Sequence, residues 1–302
     1  MLGLVILFAI ATALVIALYV DGIAREALRP PRATAGWAMG RGRPSSPQDL
    51  GLHAKEWTVE IPGARPAAAL PVWEIELDDA PDGVSVVLVH GWGRSRIDSL
   101  TRIAPFVESA SRVVLVDLRG HGDATGRTNL GDGEERDVAA LVRRLPEGPV
   151  ILVGHSLGAT IALRVAADTD VRDRIAGVIA FAPYDTVRTP LRTRIAAREL
   201  PAGPLFSLAM LVLRFRGVGP YSAVAAASRL RCPLLVIHGD SDRIAPPSEG
   251  RAIAEAGRGR FELLERVEHA DHELREPVRV RDACQGFLAS VARGRPPLSN
   301  GP

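Results

Sequence analysis

The pattern of apolar and polar positions changes character three times along the chain. Residues 2–20 carry no charge and are mostly Leu, Ile, Val and Ala. As a helix that run would span about 28 Å, close to a hydrocarbon core of roughly 30 Å. A cleaved signal peptide would place a basic residue before a shorter apolar region and a small-x-small site after it. Here no Lys or Arg precedes the run, and the Ala9-Ile10-Ala11 and Ala11-Thr12-Ala13 triplets fall inside it. The pattern therefore favours an uncleaved transmembrane anchor over residues 1–22. Residues 30–49, rich in Pro, Gly, Arg and Ser, show no apolar period, so the stretch 23–55 reads as a linker.

From residue 56 the period shortens. Residues 57–61 alternate as a half-buried strand does, and residues 72–77 repeat the pattern after a turn-rich break, which predicts an antiparallel start. Short apolar runs follow at 84–89, 112–116, 150–153, 175–181, 234–237 and 261–264, suited to central strands covered on both faces. Segments with helical spacing lie at about 97–109, 134–145, 157–167 and 248–256. This alternation predicts an α/β domain over 56–293, with a mainly parallel sheet, right-handed crossovers and helices on both faces. The rhythm breaks over 184–229, where 188–200 is basic and helix-like and 204–215 is strongly apolar. That second stretch is too short to cross a bilayer. It reads as a cover over a pocket or a segment lying against a membrane surface, or else as a core helix. Residues 294–302, with Pro and Gly, should fray.

Composition narrows the class of partner. Of the 302 residues 47% are hydrophobic and 24% charged, as in a globular protein. Lys55 is the sole lysine, and the arginines are dispersed among acids rather than massed on one stretch. No nucleic-acid partner is implied. Arg25, Arg29, Arg32, Arg41 and Arg43 all follow the apolar run, so the positive-inside rule predicts a single-pass protein with its domain on the cytoplasmic side. Cys232 and Cys284 have neither a metal-ligand spacing nor a disulfide framework.

The candidate chemistry starts at Gly154-His155-Ser156-Leu157-Gly158, directly behind the apolar run 150–153. Glycines on either side of a serine allow a sharp strand-to-helix turn that leaves the hydroxyl exposed, which makes Ser156 the candidate nucleophile. A serine hydroxyl needs a neighbouring base, and His269 and His272 are the candidates. The imidazole in turn needs a carboxylate at its other nitrogen. Asp242, after the 234–237 run, is the first choice for it.

Together these residues carry a family resemblance. His90-Gly91-Trp92-Gly93, Asp117-Leu118-Arg119-Gly120-His121-Gly122, the elbow at Ser156, His238-Gly239-Asp240-Ser241-Asp242 and a late His272 resemble the α/β-hydrolase superfamily, over roughly 56–293. The resemblance implies His272 as the base, with His269 at a position the family usually gives to glycine. It implies Asp242 as the acid and Asp240 as a loop residue, with Asp185 an alternative because some members carry the acid there. The backbone amides of Trp92 and Leu157 would form the oxyanion hole, while His90 and the Arg119 loop would support the site. A lid insertion would occupy 184–229. The function so implied is a membrane-anchored serine hydrolase cleaving an ester, thioester or amide of an acyl or hydrophobic small molecule through an acyl-enzyme, with no metal or organic cofactor. An acyltransferase and a prolyl-oligopeptidase-like peptidase share those residues. A non-catalytic membrane-bound interaction module is the reading from another class.

Overall fold

The computed structural model describes residues 1–77, 83–196, 202–269 and 277–294. An eight-stranded sheet organises the chain, in the order β1-β2-β4-β3-β5-β6-β7-β8. The strands are β1 (Lys55–Ile61), β2 (Ala68–Glu76), β3 (Ser85–Val89), β4 (Arg112–Val116), β5 (Val150–His155), β6 (Ile175–Phe181), β7 (Leu234–Gly239) and β8 (Arg260–Leu264). β2 is antiparallel to both β1 and β4, and all later pairs are parallel. Each run predicted as a strand lies in this sheet.

Strand alternation sorts the apolar residues onto two faces. Val87, Val89, Val114, Val116, Leu152, Val178 and Val236 belong to one buried cluster. Their neighbours Val86, Leu88, Val113, Leu115, Ile151, Val153, Ile179, Leu235 and Ile237 belong to the other. Both faces are dry because successive side chains of a strand point to opposite sides and each side has its own helices.

Eleven helices lie among the described residues: α1 (Leu2–Leu28), α2 (Ala35–Met39), α3 (Arg96–Ser99), α4 (Ala104–Val107), α5 (Glu134–Arg144), α6 (Leu157–Asp168), α7 (Arg188–Ala196), α8 (Ala202–Phe215), α9 (Ala223–Ala227), α10 (Pro247–Ala256) and α11 (Pro277–Ala292). The helix predicted over 97–109 is broken into α3, a 3-10 turn and α4. Pro105 sits in the first turn of α4, where its missing N–H costs nothing but where it prevents continuation from α3.

The amino-terminal region departs furthest from expectation. Helix α1 runs on to Leu28, and Val20, Ile23, Ala24 and Leu28 are buried in a third cluster with Leu191 and Ile195 of α7 and Phe206, Ala209 and Leu213 of α8. The stretch expected as a linker is docked on the domain. Ala33, Ala38 and Pro47 are buried, and Arg32 donates to the carbonyls of Gly122 and Ala124 at 2.7 and 3.1 Å. A linker pattern reports missing periodicity, whereas these contacts come from isolated side chains set into the surface of the sheet domain.

Candidate active site

The parallel strands all end at one edge, and the chemical groups named above gather there. β5 delivers Ser156, which has φ 54° and ψ −113°, outside the regions that L residues favour. Such strain persists only where the surroundings over-determine it. Two glycines make it sterically possible. A Cβ at Gly154 would lie 2.4 Å from the Cα of Ala159, and one at Gly158 would lie 2.0 Å from the carbonyl oxygen of Val89. Helix α6 can therefore approach strands β5 and β3 only with hydrogen at those positions. The Ser156 N–H donates to the Phe181 carbonyl at 2.8 Å, tying the turn to β6.

Ser156 meets an imidazole, and the ring is that of His269. Its Nε2 lies 2.8 Å from Ser156 Oγ and its Nδ1 lies 2.7 Å from Asp242 Oδ2. The base expected at His272 falls outside the described residues, and His269, the other candidate, makes both contacts. The physical reason lies in the loop after β8, which is stitched to the loop after β7. Asp240 Oδ1 accepts the Arg266 N–H at 2.7 Å, the Ser241 N–H donates to the Val267 carbonyl at 3.1 Å, and the Asp240 N–H donates to the Leu264 carbonyl at 2.9 Å. That stitching brings His269 level with Asp242.

Asp242 is buried and fully engaged. Oδ1 accepts the N–H groups of Ile244 and Ala245 at 2.8 and 2.9 Å, Oδ2 accepts from His269, and His238 Nε2, which donates to the Ala245 carbonyl at 2.9 Å, stands 3.3 Å from Oδ2. Burial pushes its pKa up, but the hydrogen bonds from His238 and His269, the His269 charge and the Ala245 amide outweigh it and hold the carboxyl well below the usual range. The carboxylate is thus an acceptor only. It fixes the proton of His269 on Nδ1 and leaves Nε2 as the acceptor for the serine hydroxyl.

The alternative acid is otherwise occupied. Asp185 Oδ1 accepts the Ser222 hydroxyl at 2.6 Å and the Val224 N–H at 3.0 Å, fixing the start of α9. Asp240 serves the loop stitching already described. His90 is buried and neutral: its Nε2 accepts the Leu118 N–H at 3.0 Å and its Nδ1 donates to the Gly91 carbonyl at 2.8 Å. Burial, reinforced by His121, holds its pKa well below the ordinary value. It is a strut between two loops. Arg119 forms a buried two-point pair with Asp137 of α5, which anchors the loop after β4.

One cavity joins these groups, with a volume of about 160 Å³. His90, Trp92, Ser156 and His269 line its reactive end, and Leu191 and Ile195 of α7 with Val187 and Leu130 form an apolar side. Ile23, Glu26 and Ala27 of α1 also line it, a contribution that the sequence pattern did not suggest. The Trp92 indole N–H donates to the Ala27 carbonyl at 2.8 Å, and the Arg194 guanidinium lies 3.9 Å over the Trp92 ring. Leu157 opens α6, where first-turn N–H groups lack intrahelical acceptors and the helix dipole favours negative charge.

The chain is similar to known proteins in sequence and in fold. The sequence model described as the Alpha/beta hydrolase family matches residues 86–283. The protein YqkD of Bacillus subtilis is 28% identical over 225 residues, covering 70% of this chain and 73% of its own. The magnesium-chelatase 30 kDa subunit of Rhodobacter capsulatus is 28% identical over 273 residues, covering 74% of this chain and 91% of its own. Among solved structures, an esterase of Pyrococcus furiosus superposes with a TM-score of 0.68 at 23% identity, over 87% of this chain and 98% of that one.

Proposed function

Because the chain belongs to the alpha/beta hydrolase family, we propose that it is a membrane-anchored serine hydrolase that cleaves carboxylic esters through an acyl-enzyme on Ser156. The observation that carries this reading is the unbroken sequence of hydrogen bonds from Ser156 Oγ through His269 to Asp242. As Oγ forms its bond to the acyl carbon, its proton passes to His269 Nε2, and Asp242 stabilises the imidazolium through Nδ1–H. The carbonyl oxygen becomes an oxyanion facing the amides of Leu157 and Trp92, each donor contributing about 3 to 4 kcal/mol. Collapse breaks the bond to the alkoxy oxygen, which leaves as an alcohol with the proton from Nε2. Water, deprotonated by the same nitrogen, then attacks the acyl-enzyme and releases the acid and free Ser156. Every step is proton transfer and acyl exchange, so no metal or organic cofactor is required.

The apolar side of the cavity favours an acyl chain over a peptide, which ranks an esterase above a peptidase. α1, with a mean hydropathy of 2.7 over its apolar window, is the anchor, and the arginines after it set the domain on the cytoplasmic side. A fluorophosphonate probe tests the reaction class. Wild type should label and Ser156→Ala should not; a folded wild type that stays unlabelled would favour a binding module.

A further inference from the structure

Helix α1 carries two surfaces in succession. The side chains of residues 2–18 are exposed, and these residues rise about 26 Å along the axis, nearly the depth of a hydrocarbon core. The first charge, Asp21, follows directly and is paired with Arg25 and Arg216. The hydrocarbon boundary therefore falls near Tyr19, a residue type that settles at that interface. Ile23, Glu26 and Ala27, which wall the Ser156 cavity, follow about 6 to 12 Å beyond Tyr19 along the helix. The headgroup layer of one leaflet is about 5 to 8 Å thick. The α1 wall of the cavity thus begins, at Ile23, within the headgroup layer, beside the level of the acyl ester bonds of a glycerolipid.

A second element reaches the same level. α8 packs on α1 through Phe206, Ala209 and Leu213, while its Leu208, Leu211 and Phe215 are exposed. That apolar face continues the α1 surface and suits lipid better than water. Arg188 and Arg192 of α7 are exposed and lie over the Phe206 ring at 5.0 and 5.9 Å, and basic groups close to a membrane surface attract phosphate headgroups.

We propose that the substrate is a membrane-resident acyl lipid ester, drawn sideways from the leaflet beneath the domain into the Ser156 cavity along α1. The proposal rests on the serine-hydrolase reading above and adds both the substrate class and its route. The full chain is reconstituted in dioleoyl phosphatidylglycerol vesicles, and released oleate is compared with hydrolysis of soluble p-nitrophenyl butyrate. Oleate should be released from the enzyme's own bilayer at least ten times faster than from added enzyme-free vesicles of the same lipid. Ile23→Trp and Ala27→Trp, each enlarging the α1 wall, should lower the ratio of oleate to butyrate turnover at least ten-fold in protein that still takes the fluorophosphonate label. Butyrate hydrolysis without oleate release, or equal release from both vesicle populations, overturns the lipid route while leaving the hydrolase intact. Failure on both esters, with no labelling, overturns the hydrolase reading itself.

Discussion

Replacing His269 by alanine is the most direct test of the site. The side chain makes both bonds of the relay, 2.8 Å to Ser156 and 2.7 Å to Asp242. Without it the serine hydroxyl has no acceptor for its proton, while the first-turn amide of Leu157 remains to stabilise an oxyanion. Loss of a triad base with the oxyanion donors retained lowers kcat by on the order of 10⁴ to 10⁶, or about 5 to 8 kcal/mol of barrier. Folding should survive, because Asp242 keeps its two backbone donors and the 3.3 Å contact to His238. His272→Ala is the companion variant, and it should stay within about three-fold of wild type because His269 already occupies both partners. The assay is kcat on p-nitrophenyl butyrate, with the thermal midpoint measured in parallel. A His272→Ala enzyme as inactive as His269→Ala, or a His269→Ala enzyme of near-normal rate, would refute the assignment.

Three further outcomes follow from the same geometry. Gly158→Ala forces a Cβ to 2.0 Å from the Val89 carbonyl oxygen and should cost about 3 kcal/mol or more, whereas Gly286→Ala on α11, with nothing within 4 Å, should be neutral or stabilising; denaturant midpoints separate them. Arg119→Met strands the buried Asp137 carboxylate and should cost about 3 to 5 kcal/mol, and adding Asp137→Leu should recover part of the loss in a double-mutant cycle. Burial pushes the His121 pKa down to about 4, so the unfolded chain binds its proton first; stability is full above the ordinary value near 6.5 and should fall by about 3 kcal/mol as pH drops to 4, a slope that His121→Asn should flatten in acid-unfolding curves.

Much of this protein was legible along the chain because its signals are local. Alternation within 84–89 and 112–116 announces strands buried on both faces, since period two sends neighbours to opposite sides. The elbow at Ser156 was readable because only glycine meets the clearances at 154 and 158, and Asp242 was singled out from Asp240 by the family resemblance of His238-Gly239-Asp240-Ser241-Asp242. The choice between two histidines was not readable. His269 and His272 lie in one short segment, and which ring reaches the serine depends on how far the bonds of Asp240 and Ser241 carry the loop after β8 toward β7.

The amino-terminal helix shows the same division. The absence of charge over residues 2–20 determined, unaided, that this helix is long and apolar enough to cross a membrane. Its role as a wall of the reactive cavity was decided by tertiary structure alone. Ile23, Ala24 and Leu28 are interrupted by Arg25 and Glu26, and in one dimension they mark merely the end of an apolar run. α7 and α8, folded in from beyond residue 187, give that face something to bury against, and burial is a property of the partner surface as much as of the residue.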